Sequence, residues 1–169
     1  MMRYRAVLLV FLLCFCTAGC VKRAKIVSAD SSKVTFQSIP FELQIAKQLK
    51  YIDGGERVGS RGADKVIQNS GTFHEWITDD KRVYLMVAHQ HLPAKTVWHK
   101  PASDERRVLI TVNGINLWYK KKPIYRPNNI CYWEELMLYH TGADRVYIRI
   151  LSRSANIPYE PVQIIPTNS

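Results

Sequence analysis

Val108-Leu109-Ile110-Thr111-Val112-Asn113-Gly114-Ile115-Asn116-Leu117-Trp118-Tyr119 is the stretch that decides how the chain reads. Asn-Gly suits a two-residue type I′ hairpin turn, because both residues tolerate positive φ. A two-residue loop then pairs Val112 with Ile115, Ile110 with Leu117, and Val108 with Tyr119. All six side chains are apolar or aromatic and share one face, while Leu109 opposes Trp118 on the other. Turn chemistry and side-chain pattern agree on an antiparallel pair.

Outward from this hairpin the same alternation recurs. Val146, Ile148 and Ile150 share one face of the segment Arg145 to Arg153. Val83, Leu85 and Val87 alternate with Tyr84, Met86 and Ala88, as in a central strand covered on both sides. Thr72 to Thr78 pairs with it around Asp79-Asp80-Lys81. Lys33 to Gln37 and Phe41 to Ile45 read as two more strands. Ile45, Leu49 and Ile52 have helical spacing. Residues 53–71, with Gly54, Gly55, Gly59 and Gly62, read as a long loop. Residues 128–140 admit two readings. One is a helix with an Asn cap and a stripe at Ile130, Trp133 and Met137. The other is a strand that turns through Thr141-Gly142-Ala143-Asp144. The sum is α+β: a single domain over 33–155 on a mainly antiparallel β-sheet, with one or two helices packed on it. Residues 156–169, with Pro158, Pro161 and Pro166, read as an extended tail.

The chain has 169 residues, 47% hydrophobic and 22% charged, with a formal charge of +10. That balance is globular rather than disordered. Its N-terminus has a different character. Arg3 and Arg5 precede a run from Ala6 to Cys16 that carries no charge. The run is shorter than the roughly 20 apolar residues of a membrane-spanning helix and fits the apolar region of a signal peptide. Ala18, Gly19 and Cys20 follow. This order resembles the signal and lipobox of bacterial lipoproteins, with Thr17 standing where Leu is usual.

The resemblance covers residues 1–20. It implies cleavage after residue 19, a diacylglycerol and an acyl chain on Cys20, and a tether over 20–32. It places the protein in the bacterial cell envelope, facing the periplasm. Val21, rather than Asp, after the Cys favours the outer membrane over the inner. Cleavage leaves 22 basic and 14 acidic residues, a charge of +8. In that compartment the anionic partners are lipid headgroups, glycans or acidic proteins, and nucleic acid is not expected. Cys20 and Cys131 are then the remaining cysteines, so a disulfide scaffold and a Cys-based zinc finger are excluded. In general layout the mature domain also resembles the Mog/PsbP-like α/β sandwich: paired N-terminal strands, a glycine-rich loop, then a meander. No functional residue comes with that resemblance.

Three sets of residues invite a chemical reading. Lys120, Lys121 and Lys122, followed by Tyr125 and Arg126 in a loop stiffened by Pro123 and Pro127, combine cations with aromatics. Such a surface can hold an anionic headgroup or anchor a protein, or simply guard a strand edge. Arg57 and Arg61 in the glycine-rich loop could bind a carboxylate or phosphate. His89 and His91 point the same way on a strand, with His74 and Glu75 on its neighbour and His99 further on. Imidazoles suit zinc, but no HExxH spacing is present. Cys131, among Ile130, Tyr132 and Trp133, reads as a core residue rather than a nucleophile. No Gly-x-Ser-x-Gly elbow, P-loop or Gly-x-Gly-x-x-Gly occurs. The expectation is a non-enzymatic envelope lipoprotein that binds another envelope component, with no cofactor beyond its lipid. The alternatives are a metal-dependent hydrolase on the histidines and a small-ligand (lipid or glycan) binder with a pocket lined by Trp76, Trp98, Trp118 or Trp133.

Overall fold

The computed structural model describes residues 26–37, 39–61, 67–91, 107–126, 130–142 and 144–167. Eleven strands account for its regular structure: β1 Ile26–Ala29, β2 Lys33–Phe36, β3 Phe41–Ile45, β4 Leu49–Arg61, β5 Ile67–Thr78, β6 Val83–His91, β7 Val108–Val112, β8 Ile115–Arg126, β9 Ile130–Thr141, β10 Asp144–Ser152 and β11 Val162–Pro166. They form two antiparallel sheets, one of four strands in the order β1-β2-β3-β11 and one of seven in the order β4-β5-β6-β10-β9-β8-β7. The α+β expectation is therefore overturned. Among the described residues there is no helix, and a second sheet covers the first where helices were expected.

The hairpin at Asn113-Gly114 has the pairs that its turn requires: Val112 with Ile115, Ile110 with Leu117 and Val108 with Tyr119. Asn113 (φ 49°) and Gly114 (φ 83°) both take the left-handed conformation, as a type I′ turn demands. Asn113 also donates from its side-chain amide to the Ile164 carbonyl at 2.7 Å, tying the turn to β11.

Of the two readings open for residues 128–140 the strand is the one observed, and the readings of the 45–52 spacing, 53–71, the tether and the tail are corrected. Residues 130–141 are strand β9, held between β8 and β10. The two glutamates that blur its pattern sit on opposite faces, and each meets a cation: Glu134 meets Arg149 and Glu135 meets Lys121. Cross-strand pairs of this kind stabilise a sheet where a helix would lose them. The glycine-rich stretch is not a loop but most of the β4–β5 hairpin, and the helical spacing of Ile45, Leu49 and Ile52 spans the step from β3 into β4. Glycine serves close approach in this hairpin. A Cβ at Gly71 would press on the His89 backbone, and one at Gly54 would collide with the Tyr51 hydroxyl and the His74 ring. Finally, β1 lies within the stretch read as tether and β11 within the stretch read as tail, and both belong to the small sheet.

The core lies between the sheets. Leu85 and Val87 of β6, Val146, Ile148 and Ile150 of β10, Trp76 of β5 and Leu117 of β8 line the large sheet's inner face. They meet Val34, Phe41, Leu43, Ile45, Val162 and Ile164 of the small sheet. The registers place rows such as His74–Val87–Ile148–Met137–Tyr119 straight across the large sheet.

The two ends of the sandwich differ. At one end lie His89, His91, Asp144, Tyr139 and the Asn113-Gly114 turn. Ile26 belongs to this end, since it pairs with Phe36, which stacks on Phe41 (5.6 Å) and through it on Tyr139 (5.2 Å). The β4–β5 hairpin projects beyond it, because β6 stops opposite Ser70. At the opposite end lie the Asp79-Asp80-Lys81 turn and Ser152. There β8 and β9 run on past the end of β10, which stops opposite Trp133, and form a second projecting arm.

The core assignment predicts a graded response to truncation. Leu85→Ala (0% exposed) should cost about 2–5 kcal/mol, and Leu109→Ala (56% exposed) less than about 0.5 kcal/mol. Chemical denaturation of the purified protein measures both.

Candidate functional site

The lysine run lies on strand β8 rather than on a loop, so successive lysines point to opposite faces. Lys121 reaches Glu135 at 2.5 Å and the Ala155 carbonyl at 2.8 Å. Lys122 lies 3.4 Å from Glu134, whose Oε1 also holds Arg149 at 2.6 Å. Two of the three lysines are thus engaged within the fold. Lys120 and Arg126 have no ion-pair partner among the described residues. Tyr125, 75% exposed, stands on the arm beside Arg126. The part of this motif open to a partner is therefore its C-terminal half.

Arg57 and Arg61 lie on β4, opposite Gly71 and Ile67. They belong to the other arm, so the fold separates them from Lys120–Arg126.

The histidines do not gather. His74 lies on β5 with its Nδ1 3.1 Å from the Tyr51 hydroxyl. His89 Nε2 and His91 Nδ1 each lie 2.9 Å from a single oxygen, Oδ1 of Asp144. An ionised carboxylate only accepts, so both rings donate to it. The cluster bolts β6 to β10 at the end of the core, where His89 is 4% exposed. Among the described residues no group of three His, Cys, Asp or Glu is arranged to hold a metal ion. Glu75 faces away from His74, as its neighbour along a strand must. His99, Trp98 and Cys20 lie outside the described residues.

Burial holds the His89 pKa below its ordinary value, against the opposing pull of Asp144, and burial also lowers that of His74. Cys131 is half-buried on β9, nine residues along the strand from His140, too far for a nucleophile and base to meet. The tryptophans do not line a common pocket. Trp76 is fully buried, with its indole N–H donating to the Asp30 carbonyl at 3.0 Å. Trp118 and Trp133 occupy opposite faces of the large sheet.

Two cavities meet at the end that carries the β8–β9 arm. The larger, of about 850 Å³, lies between the Thr78–Val83 turn and residues 152–159. Its charges are mixed, with Asp79 and Asp80 facing Arg82 and Arg153. The smaller, of about 350 Å³, lies on the outer face at the root of the arm and includes Arg126. Sequence reasoning found Arg126 and Tyr125 through the cation–aromatic run. It missed Asp144, which lies in sequence far from its histidines, and Lys81 and Arg82, which read as an ordinary turn.

No protein-family model matches the chain, and no curated protein does. One solved structure is similar in outline, a crystal structure from Bacteroides thetaiotaomicron VPI-5482, with a TM-score of 0.49 and 9% identity. The match covers 76% of this chain and 44% of that one, so the chain spans less than half of its neighbour's length.

The lowered histidine pKa values give a pH dependence. The folded state favours neutral imidazole, whereas histidine in the unfolded chain titrates near about 6.5. Stability is therefore fully present above that pH and falls as pH drops below it, because the unfolded chain then takes up more protons. Thermal melts between pH 7.5 and 5 should show a falling Tm, with a shallower slope for His89→Gln, which cannot be protonated. Equal slopes would remove His89 from the account.

Proposed function

We propose that this chain is a lipid-anchored protein of the bacterial cell envelope, held through Cys20 on the periplasmic side of a membrane, the outer membrane being favoured. Its sandwich is a binding module rather than an enzyme, and it meets an anionic envelope component through the β8–β9 arm. The anchor rests on the signal-like order of residues 1–20. The observation that carries the binding role is the opposition of the two ends. Ile26, where the described chain begins, lies at one end, and Tyr125 and Arg126 project at the other. A tether at the first end presents the arm away from the membrane. Tyr125 and Arg126 there set an exposed aromatic beside a cation, residue types enriched at interfaces.

Growth with an alkyne fatty acid should label the protein, and Cys20→Ala should abolish the label. A photo-crosslinker at position 125 in the native cell should yield one dominant adduct that Arg126→Glu removes. A dominant adduct at position 57 instead would move the contact to the β4–β5 arm and contradict the assignment.

A further inference from the structure

The cavity at the root of the β8–β9 arm has a composition unlike the rest of the surface. Lys81 and Arg82 enter it from the β5–β6 turn and Arg126 from the arm, and among the described residues no Asp or Glu lines it. Its walls are apolar and aromatic: Tyr84 and Leu151 from the sheet, Ile124, Ile130 and Tyr132 from the arm. The nearest carboxylates are engaged elsewhere. Glu134 holds Arg149 and Lys122. Asp80 accepts from the Thr78 hydroxyl at 2.6 Å and from the Arg82 backbone N–H at 3.0 Å through Oδ1, and its Oδ2 makes a 3.5 Å ion pair with the Arg82 Nε. Lys81 and Arg126 have no ion-pair partner among the described residues. Ile130, 42% exposed, carries the apolar wall out to the rim.

A strand end guarded only by charge needs no concave apolar floor beneath it. A patch made for hydrophobic contact alone needs no three converging cations, two of which, Lys81 and Arg126, have no ion-pair partner among the described residues. Both together select a ligand with two chemistries. A cavity of about 350 Å³ lies at the low end of small-molecule sites. It is concave and admits one chain, not a bilayer surface. We propose that it binds a single-chain anionic amphiphile, its phosphate or carboxylate head held by Lys81, Arg82 and Arg126 and its acyl chain laid against Tyr84, Ile124 and Tyr132. This goes beyond the anchoring role; it shares Arg126 with the partner contact but rests on a separate observation, the cation-rimmed apolar cavity, which Ile124→Asp probes apart from that contact.

The test is isothermal titration of the full chain, in zwitterionic nanodiscs, with octyl phosphate below its micelle concentration, against empty nanodiscs as the blank. Inorganic phosphate and octyl glucoside carry the head and the chain separately. The expected result is saturable one-to-one binding of octyl phosphate, with each control at least tenfold weaker. Arg126→Glu and Ile124→Asp should each weaken it at least tenfold, with melting curves confirming that both variants fold. Arg126 is exposed and ends β8 on the arm, past the point where β10 stops. Absence of saturable binding overturns the proposal, as does octyl phosphate binding that survives Arg126→Glu. Equal affinity for inorganic phosphate overturns the apolar half and leaves a bare anion site.

Discussion

Everything in this fold depends on covering the inner face of the large sheet. Val146, Ile148 and Ile150 on β10 and Leu85 and Val87 on β6 form a continuous apolar layer at its centre. Exposed, such a layer would be a site of aggregation. The four-stranded sheet seals it. That small sheet is assembled from both ends of the described chain, with β1 to β3 before the large sheet and β11 after it. Closure therefore brings β1 and β11 into one sheet, at its opposite edges. It holds Ile26 beside the aromatic trio of Phe36, Phe41 and Tyr139, and it brings β11 to the Asn113 side chain.

The small sheet is shorter than the large sheet's longest strands, and that mismatch creates the candidate surface. Where β8–β9 outruns the core, its described side chains have no second sheet to pack on. Polar and charged groups gather at both ends of the core. At one end the His89–Asp144–His91 cluster closes the core with its polar groups paired. At the other, cations collect around an apolar hollow with no acid among the described residues of its lining. The first arrangement satisfies its charges internally and reads as structural. The second leaves Lys81 and Arg126 without an ion-pair partner among the described residues, which is why the ligand-binding proposal rests there.

Some of this was legible in the sequence and some was not, for identifiable reasons. The hairpin at Asn113-Gly114 could be read because one local turn fixed the register of six apolar residues. Strand β9 could be read but not told from a helix, because Glu134 and Glu135 interrupt its alternation and find their partners on neighbouring strands. The glycines of 53–71 read as a loop, since sequence shows the absence of a side chain but not the approach of His74 and the His89 backbone that requires it. Strands β1 and β11, four and five residues long, carry too little pattern to register alone. Of the candidate site, Tyr125 and Arg126 stood out as a cation–aromatic run. Lys81 and Arg82 became relevant only when the sheet brought their turn to the arm.

The central claim is that the two ends of the sandwich divide the work, one toward the anchor and the other away from the membrane. Energy transfer in the lipidated protein on vesicles tests it most directly. A donor placed in turn at residue 111, beside the Asn113-Gly114 turn, and at residue 125, on the β8–β9 arm, reports its distance to acceptor-labelled headgroups, with Cys131 replaced by Ser to give a single labelling site. The account predicts strong transfer from residue 111 and weak transfer from residue 125. Strong transfer from residue 125 would contradict it, because the arm and its cavity would then lie on the membrane they are argued to face away from.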